Sequence, residues 1–266
     1  MPLYLYDLPN WLLGMLICGG WIVIGLTGYA VFHRVCRFHF SESEKNLAIA
    51  LLSVIATVNS LLLAFSAVSA WESFGSADHS VRGEANTIGM LSRDLAVFDS
   101  VESNHARELL KTYVKTVLEV EWANMHTAHP NDSTWTAVDN MFRAVGKIKP
   151  ASPRELALMP EIWTRTNELV KYRRERFYAS EAQVPVTLWA VVAIGTFLTI
   201  AITYVFPRTA FNLTAVAVLS GSLGLVFFFI AAMDRPFAGT ESIGPEPIAA
   251  ALSNMNRWDE DTRKLK

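Results

Sequence analysis

The sequence predicts an all-α integral membrane protein with four transmembrane helices and a helical extramembrane bundle inserted between the second and third. Three observations point there. Of 266 residues, 52% are hydrophobic and 18% are charged, against about 25% charged in an ordinary soluble domain. The shortfall is local: residues 8–33, 46–71, 182–207 and 209–233 contain no Asp, Glu, Lys or Arg. The long polar stretch between the second and third gaps shows helical periodicity and no strand-like alternation. This pattern excludes a purely soluble protein, a secreted disulfide scaffold and a disordered chain.

Each gap exceeds the roughly 20 helical residues that a bilayer core needs. Backbone amides in lipid must be satisfied within the segment, so each gap is expected to be a helix. Residues 1–71 hold transmembrane helices 1 and 2, near 11–33 and 47–71. The first reads as a span rather than a cleaved signal peptide, because it lacks a basic leader and its apolar run is too long. Tyr4, Tyr6 and Trp11 precede it, Trp71 and Phe74 close the second, and Tyr204 and Phe206 close the third, as interfacial aromatic belts do. Residues 184–236 hold helices 3 and 4, near 184–206 and 210–233, with Pro207 and Pro236 as stops. A C-terminal tail, 237–266, follows.

Arg34, Arg37 and Lys45 follow the first span, so the positive-inside rule puts that loop in the cytoplasm. The extramembrane domain and both termini then lie outside it. Lys171, Arg173, Arg174 and Arg176, close to the third span, argue the opposite way. Cys18 and Cys36 offer no disulfide framework, and a net charge of −2 predicts no nucleic-acid partner.

Residues 72–183 form the extramembrane domain. Val81, Ala85, Ile88, Leu91, Leu95 and Phe98 make one apolar stripe that extends the second span, although Gly75 and Gly83 weaken that continuity. Leu110, Tyr113, Val114, Val117 and Leu118 make a second stripe. A third helix begins near Asp132 or Ser133 and carries Trp135, Val138, Phe142 and Val145. Ser152-Pro153 reads as a cap with proline in the first turn. The helix after it is expected to bury Leu156, Met159, Ile162, Trp163, Leu169 and Val170.

Catalytic signatures are absent, so no enzyme and no cofactor is expected. His126, His129 and Asp132, with His105 as a distant fourth group, have the ligand types of a zinc site. A solvated loop is the better reading, and no metal is expected.

The second span is the most polar. Ser53, Thr57 and Ser60 share one face with Ala64 and Ala67; Asn59, Ser66 and Ser69 lie elsewhere around the helix. Small residues and hydroxyls suit close helix packing, and they equally suit a pore wall that replaces ion hydration. Four packed helices leave no water path, so a pore requires a cyclic homo-oligomer of copies of this chain in the bilayer. With no ionisable residue in mid-span, a proton-coupled carrier is disfavoured. Charges gather beyond the helix ends at Glu72, Arg82, Glu84, Asp234 and Arg235.

The stretches Leu61–Phe65, Trp71-Glu72 and Arg82-Gly83-Glu84-Ala85-Asn86 resemble the bestrophin-like bacterial membrane family. Met233-Asp234-Arg235-Pro236-Phe237-Ala238-Gly239, followed by Pro245-Glu246-Pro247, resembles that family's other hallmark. The resemblance covers nearly the whole chain and implies a bacterial cytoplasmic (inner) membrane location. Bestrophins are oligomeric anion channels, so it also implies conduction of small inorganic anions such as chloride. The bestrophin aromatic triplet has no counterpart here, since Phe65 stands alone, and Asp259-Glu260-Asp261 is too short for a calcium clasp.

The expected function is therefore an oligomeric anion channel. Ser53, Thr57, Asn59, Ser60 and Phe65 line its pore, the Leu61–Phe65 run constricts it, and the five charges above ring its mouth. The alternative is a non-conducting, membrane-anchored sensor or partner-recruiting protein, for which the large insert is the main argument.

Overall fold

The computed structural model describes residues 6, 8–36, 40–98, 100–127 and 132–265, and their regular structure is helical throughout. Tyr4, Arg37 and His129 lie outside the described residues, as do the side chains of His126 and Asp132. Eight α-helices follow in order: α1 (Asn10–Val35), α2 (Glu42–Ala96), α3 (Val101–Thr116), α4 (Asp132–Val145), α5 (Pro153–Glu181), α6 (Val186–Ile202), α7 (Ala210–Met233) and α8 (Glu246–Leu265). A 3₁₀ turn, Thr203–Val205, extends α6. Among the described residues, four helices are long and apolar enough to cross a membrane, at the places the charge-free gaps predict.

The chain divides into two compact units. Met1–Phe74 with Gln183–Glu241 form one, and Gly75–Ala182 with Ser242–Lys266 form the other.

In the first unit the apolar faces of the spans meet in two clusters. Leu63 and Ala70 of α2 pack with Val192 of α6 and with Phe227 and Ile230 of α7. Tyr29, Ile200, Tyr204 and Val216 form the second cluster from α1, α6 and α7. Without a hydrophobic drive between helices in lipid, close packing over small residues holds spans together. Gly224 of α7 illustrates this: a Cβ there would sit 2.9 Å from the Cα of Cys18 in α1. Thr209 caps α7 by accepting from the Asn212 N–H at 3.1 Å.

Contrary to expectation, α2 does not weaken at its glycines but runs unbroken for 55 residues. A mid-helix glycine costs up to about 1 kcal/mol relative to Ala. At Gly83 tertiary packing offsets it, because a side chain there would collide with the Tyr172 ring.

The second unit contains Gly75–Ala96 of α2 and the helices α3, α4, α5 and α8. All six residues of the predicted α2 stripe are buried. Ser152 caps α5 as expected, accepting from the Glu155 N–H at 3.2 Å with Pro153 opening the helix. Ile162 and Leu169 are buried as expected and Met159, Trp163 and Val170 half-buried, but Leu156 departs from the reading at 63% exposed, on the solvent side of the first turn. Past Thr116, α3 widens into a π-helical turn at Val117–Glu121 and ends as a 3₁₀ helix, Trp122–Thr127. Residues read as a tail fold into α8, which buries Ile248, Ala251 and Met255 at three-and-four spacing.

Candidate pore face and the charges around it

The Asn59-Leu63-Ser66-Ala70 stripe of α2 is turned into the first unit, and each of these residues is buried. Asn59, 3% exposed, donates through Nδ2 to the Thr196 hydroxyl of α6 at 3.1 Å. Gly195 makes room for it, since a Cβ at that position would strike the Asn59 amide. Asn59 therefore belongs to the packed interior and does not share the face of Ser53, Thr57 and Ser60. At about 100° per residue it points about 100° away from Ser60 and further still from Ser53 and Thr57.

Ser53, Thr57, Ser60 and Ala64 are exposed. Their hydroxyls donate to their own helix: Ser53 to the Ile49 carbonyl at 2.9 Å, Thr57 to Ser53 at 2.7 Å and Ser60 to Thr57 at 2.9 Å. These bonds keep the helix satisfied in a dry setting, and a rotating hydroxyl can redirect its proton to a passing ion or water. Beside this stripe lies an exposed apolar one of Val54, Val58, Leu61 and Phe65, with Phe65 62% exposed.

The other spans show no such stripe. In α6, Thr196 and Thr199 are buried while Val191, Ile194, Phe197 and Leu198 are exposed. In α7, Ser220 is buried while Val218, Leu225 and Phe229 are exposed. Outward hydroxyls occur singly there, at Thr27 of α1 and at Thr187, Thr214 and Ser222 of α6 and α7. Only in α2 do they form a continuous stripe among the described spans.

The five predicted mouth charges separate. Glu72 is exposed, and Arg82 is exposed and paired with Asp78 at 2.7 Å. The other three are drawn into contacts within the chain. Asp234 is 3% exposed and accepts from the Val184 N–H at 2.7 Å, tying the end of α7 to the start of α6. Burial raises its carboxyl above the usual range, opposed by that N–H and by Arg235. Arg235 is half-buried, donates to the Gln183 side chain at 3.0 Å and lies over the Tyr6 ring. The Asp-Arg-Pro-Phe block is thus an architectural clamp at a helix junction.

Glu84 is completely buried within the second unit. Arg176 donates to it from Nε at 2.7 Å and to Glu121 from Nη2 at 2.6 Å; Arg173 also donates to Glu121 at 2.6 Å. Tyr113 adds a hydroxyl to Glu84, and the Trp122 ring stacks against Arg176. Two carboxylates face two guanidiniums, so the cluster carries no net charge. Burial alone would lower the Arg176 pKa; Glu84 and Glu121 more than offset this and raise it. The Tyr113 hydroxyl is pushed well up by burial and by Glu84. Of the basic quartet before the third span, Arg173 and Arg176 are therefore spent internally, and Lys171 and Arg174 remain exposed.

The model of the Bestrophin-like domain matches residues 19–248, from α1 to the first turn of α8. The chain belongs to the Bestrophin-like family. Within this bestrophin-like chain, the two blocks that suggested the family hold the fold: Glu84 centres a buried ion cluster, and Asp234 fastens two spans. Comparison with curated proteins returns no match.

Proposed function

We propose that this bestrophin-like protein is an oligomeric channel for small anions, with α2 of each copy lining a shared central pore. One observation carries the reading. Outward hydroxyls in α6 and α7 are isolated, at Thr187, Thr214 and Ser222, whereas α2 turns a continuous stripe of them out. A face of Ser53, Thr57, Ser60 and Ala64 gains nothing from acyl chains, and it matches water or a neighbouring helix. Phe65 and Leu61, on the adjacent exposed stripe, form an apolar constriction that gates by dewetting.

Four packed helices have their shared interior filled by Leu63, Val192, Phe227 and Ile230. Conduction therefore takes place between copies, around a symmetry axis. The anion preference is supported by the family relation, because bestrophins are oligomeric anion channels.

Flux from liposomes holding the purified protein tests this. The expected result is chloride efflux exceeding potassium efflux, reduced several-fold by Thr57→Leu with Ser60→Leu and unaffected by Val191→Leu on α6. Protein that assembles as a monomer, or liposomes that leak neither ion, would overturn the proposal.

A further inference from the structure

In the second unit a half-open cavity of about 390 Å³ lies between α2 and α8, within the size range of small-ligand sites. Arg82, Asn86 and Arg93 line it from α2, and Asn254, Met255 and Trp258 line it from α8. The α2 positions follow from helix geometry, since 82, 86, 89 and 93 fall within roughly 60° of one another. Position 89 in that row is glycine, and a Cβ there would meet nothing within 4 Å, so the wall is hollow at its middle.

The charge of this cavity is one-sided, because no carboxylate is among its lining residues. Elsewhere in the unit, the buried and half-buried arginines Arg107, Arg165, Arg173 and Arg176 each hold a carboxylate. Arg93, which is exposed at the cavity's edge, holds none among the described residues; its guanidinium lies 5.9 Å from the centre of the Trp258 ring. Arg82, three turns earlier, uses its Nε on Asp78 and directs no other described bond. A guanidinium beside an indole face, with the Asn254 amide one helical turn from that indole, has the donors of an anion site and the cover for an apolar group.

We propose that this cavity binds a small organic anion, a carboxylate or phosphate carried on an apolar body. Arg93 and Asn254 hold the charged group, and Trp258 and Met255 cover the body. Binding bridges α2 and α8 within the unit. This site is independent of the conduction reading, because it uses none of the residues of the outward face.

Calorimetric titration of the full-length protein in detergent tests the site, with phenyl phosphate, inorganic phosphate and benzyl alcohol as probes. Saturable binding of phenyl phosphate, one per chain, is expected. Inorganic phosphate should bind at least several-fold more weakly, and benzyl alcohol not measurably. Arg93→Gln should weaken phenyl phosphate about tenfold or more, the size of a lost charged hydrogen bond, with an unchanged melting temperature. Trp258→Ala should weaken phenyl phosphate and leave inorganic phosphate alone. No saturable phenyl phosphate binding, equal binding by Arg93→Gln, or equal affinity for inorganic phosphate would each overturn the proposal.

Discussion

The two halves of α2 treat polar side chains differently. Its Gly75–Ala96 half buries a full charge, Glu84, with Ser80, Thr87 and Ser92. Its membrane half buries only the neutral Asn59 and Ser66, and turns Ser53, Thr57 and Ser60 outward. The difference follows from what each half packs against. Glu84 meets Arg176 and Tyr113, whereas the facing span offers Asn59 only the Thr196 hydroxyl. Inward polar groups therefore report the fold, and outward ones report what lies beyond a single chain.

This contrast sets the scale of mutational effects. Arg176→Met should be the most damaging, since it leaves Glu84 and part of Glu121 buried without a guanidinium. Breaking such a pair costs about 3–5 kcal/mol, visible as a large fall in melting temperature in detergent. Asn59→Leu removes a neutral intramembrane bond and should cost about 0.5–2 kcal/mol. A double-mutant cycle with Thr196→Val should show that the two losses are not additive. If Asn59→Leu matched Arg176→Met, the two halves would not differ as described.

The charge contacts of α8 give a pH-dependent case. Burial would raise the Asp259 carboxyl, but hydrogen bonds from Lys111 and Arg107 outweigh it and hold its pKa below the ordinary value. The stabilisation is thus complete above about pH 4, the unfolded value, and is lost as pH falls through the depressed folded one. Lys111 is raised: burial opposes the shift, and bonds to Asp259 and Glu108 win. Its contribution is complete below about pH 10.4 and lost above that. Proteolytic release of α8 should therefore stay constant across neutral pH and increase at both extremes; Asp259→Asn should release it at neutral pH. Smallest in stability, Ser53→Ala, Thr57→Ala and Ser60→Ala should each shift melting by less than about 0.5 kcal/mol while altering flux.

Much of this was readable in the sequence. Charge-free runs marked the spans because lipid excludes charge over a fixed length. The inward stripe of α2 was also available, since Asn59, Leu63, Ser66 and Ala70 repeat at four-three-four. Asn59 belongs to that inward stripe, and its polarity alone does not reveal this. Glu84 carried the same signal, three residues after Val81 and four before Ile88 on one apolar stripe, where a carboxylate implies a buried cation. Its partners Arg176 and Glu121 are distant in sequence and owe their meeting to tertiary packing and the π-helical turn. The α8 periodicity at Ile248, Ala251 and Met255 was legible too, yet masked by the charges after Arg257.

Substituted-cysteine accessibility tests the central claim most directly. In a background with Cys18 and Cys36 changed to Ser, single cysteines would replace Ser53, Thr57 or Ser60 on α2 and Ile194 or Leu198 on α6. Each is then exposed in native membranes to a charged, membrane-impermeant methanethiosulfonate. The predicted result is modification at the α2 positions, with loss of anion flux, and none at the α6 positions. Equal protection of both helices, or equal reaction of both, would contradict a water-filled path along the outward face of α2.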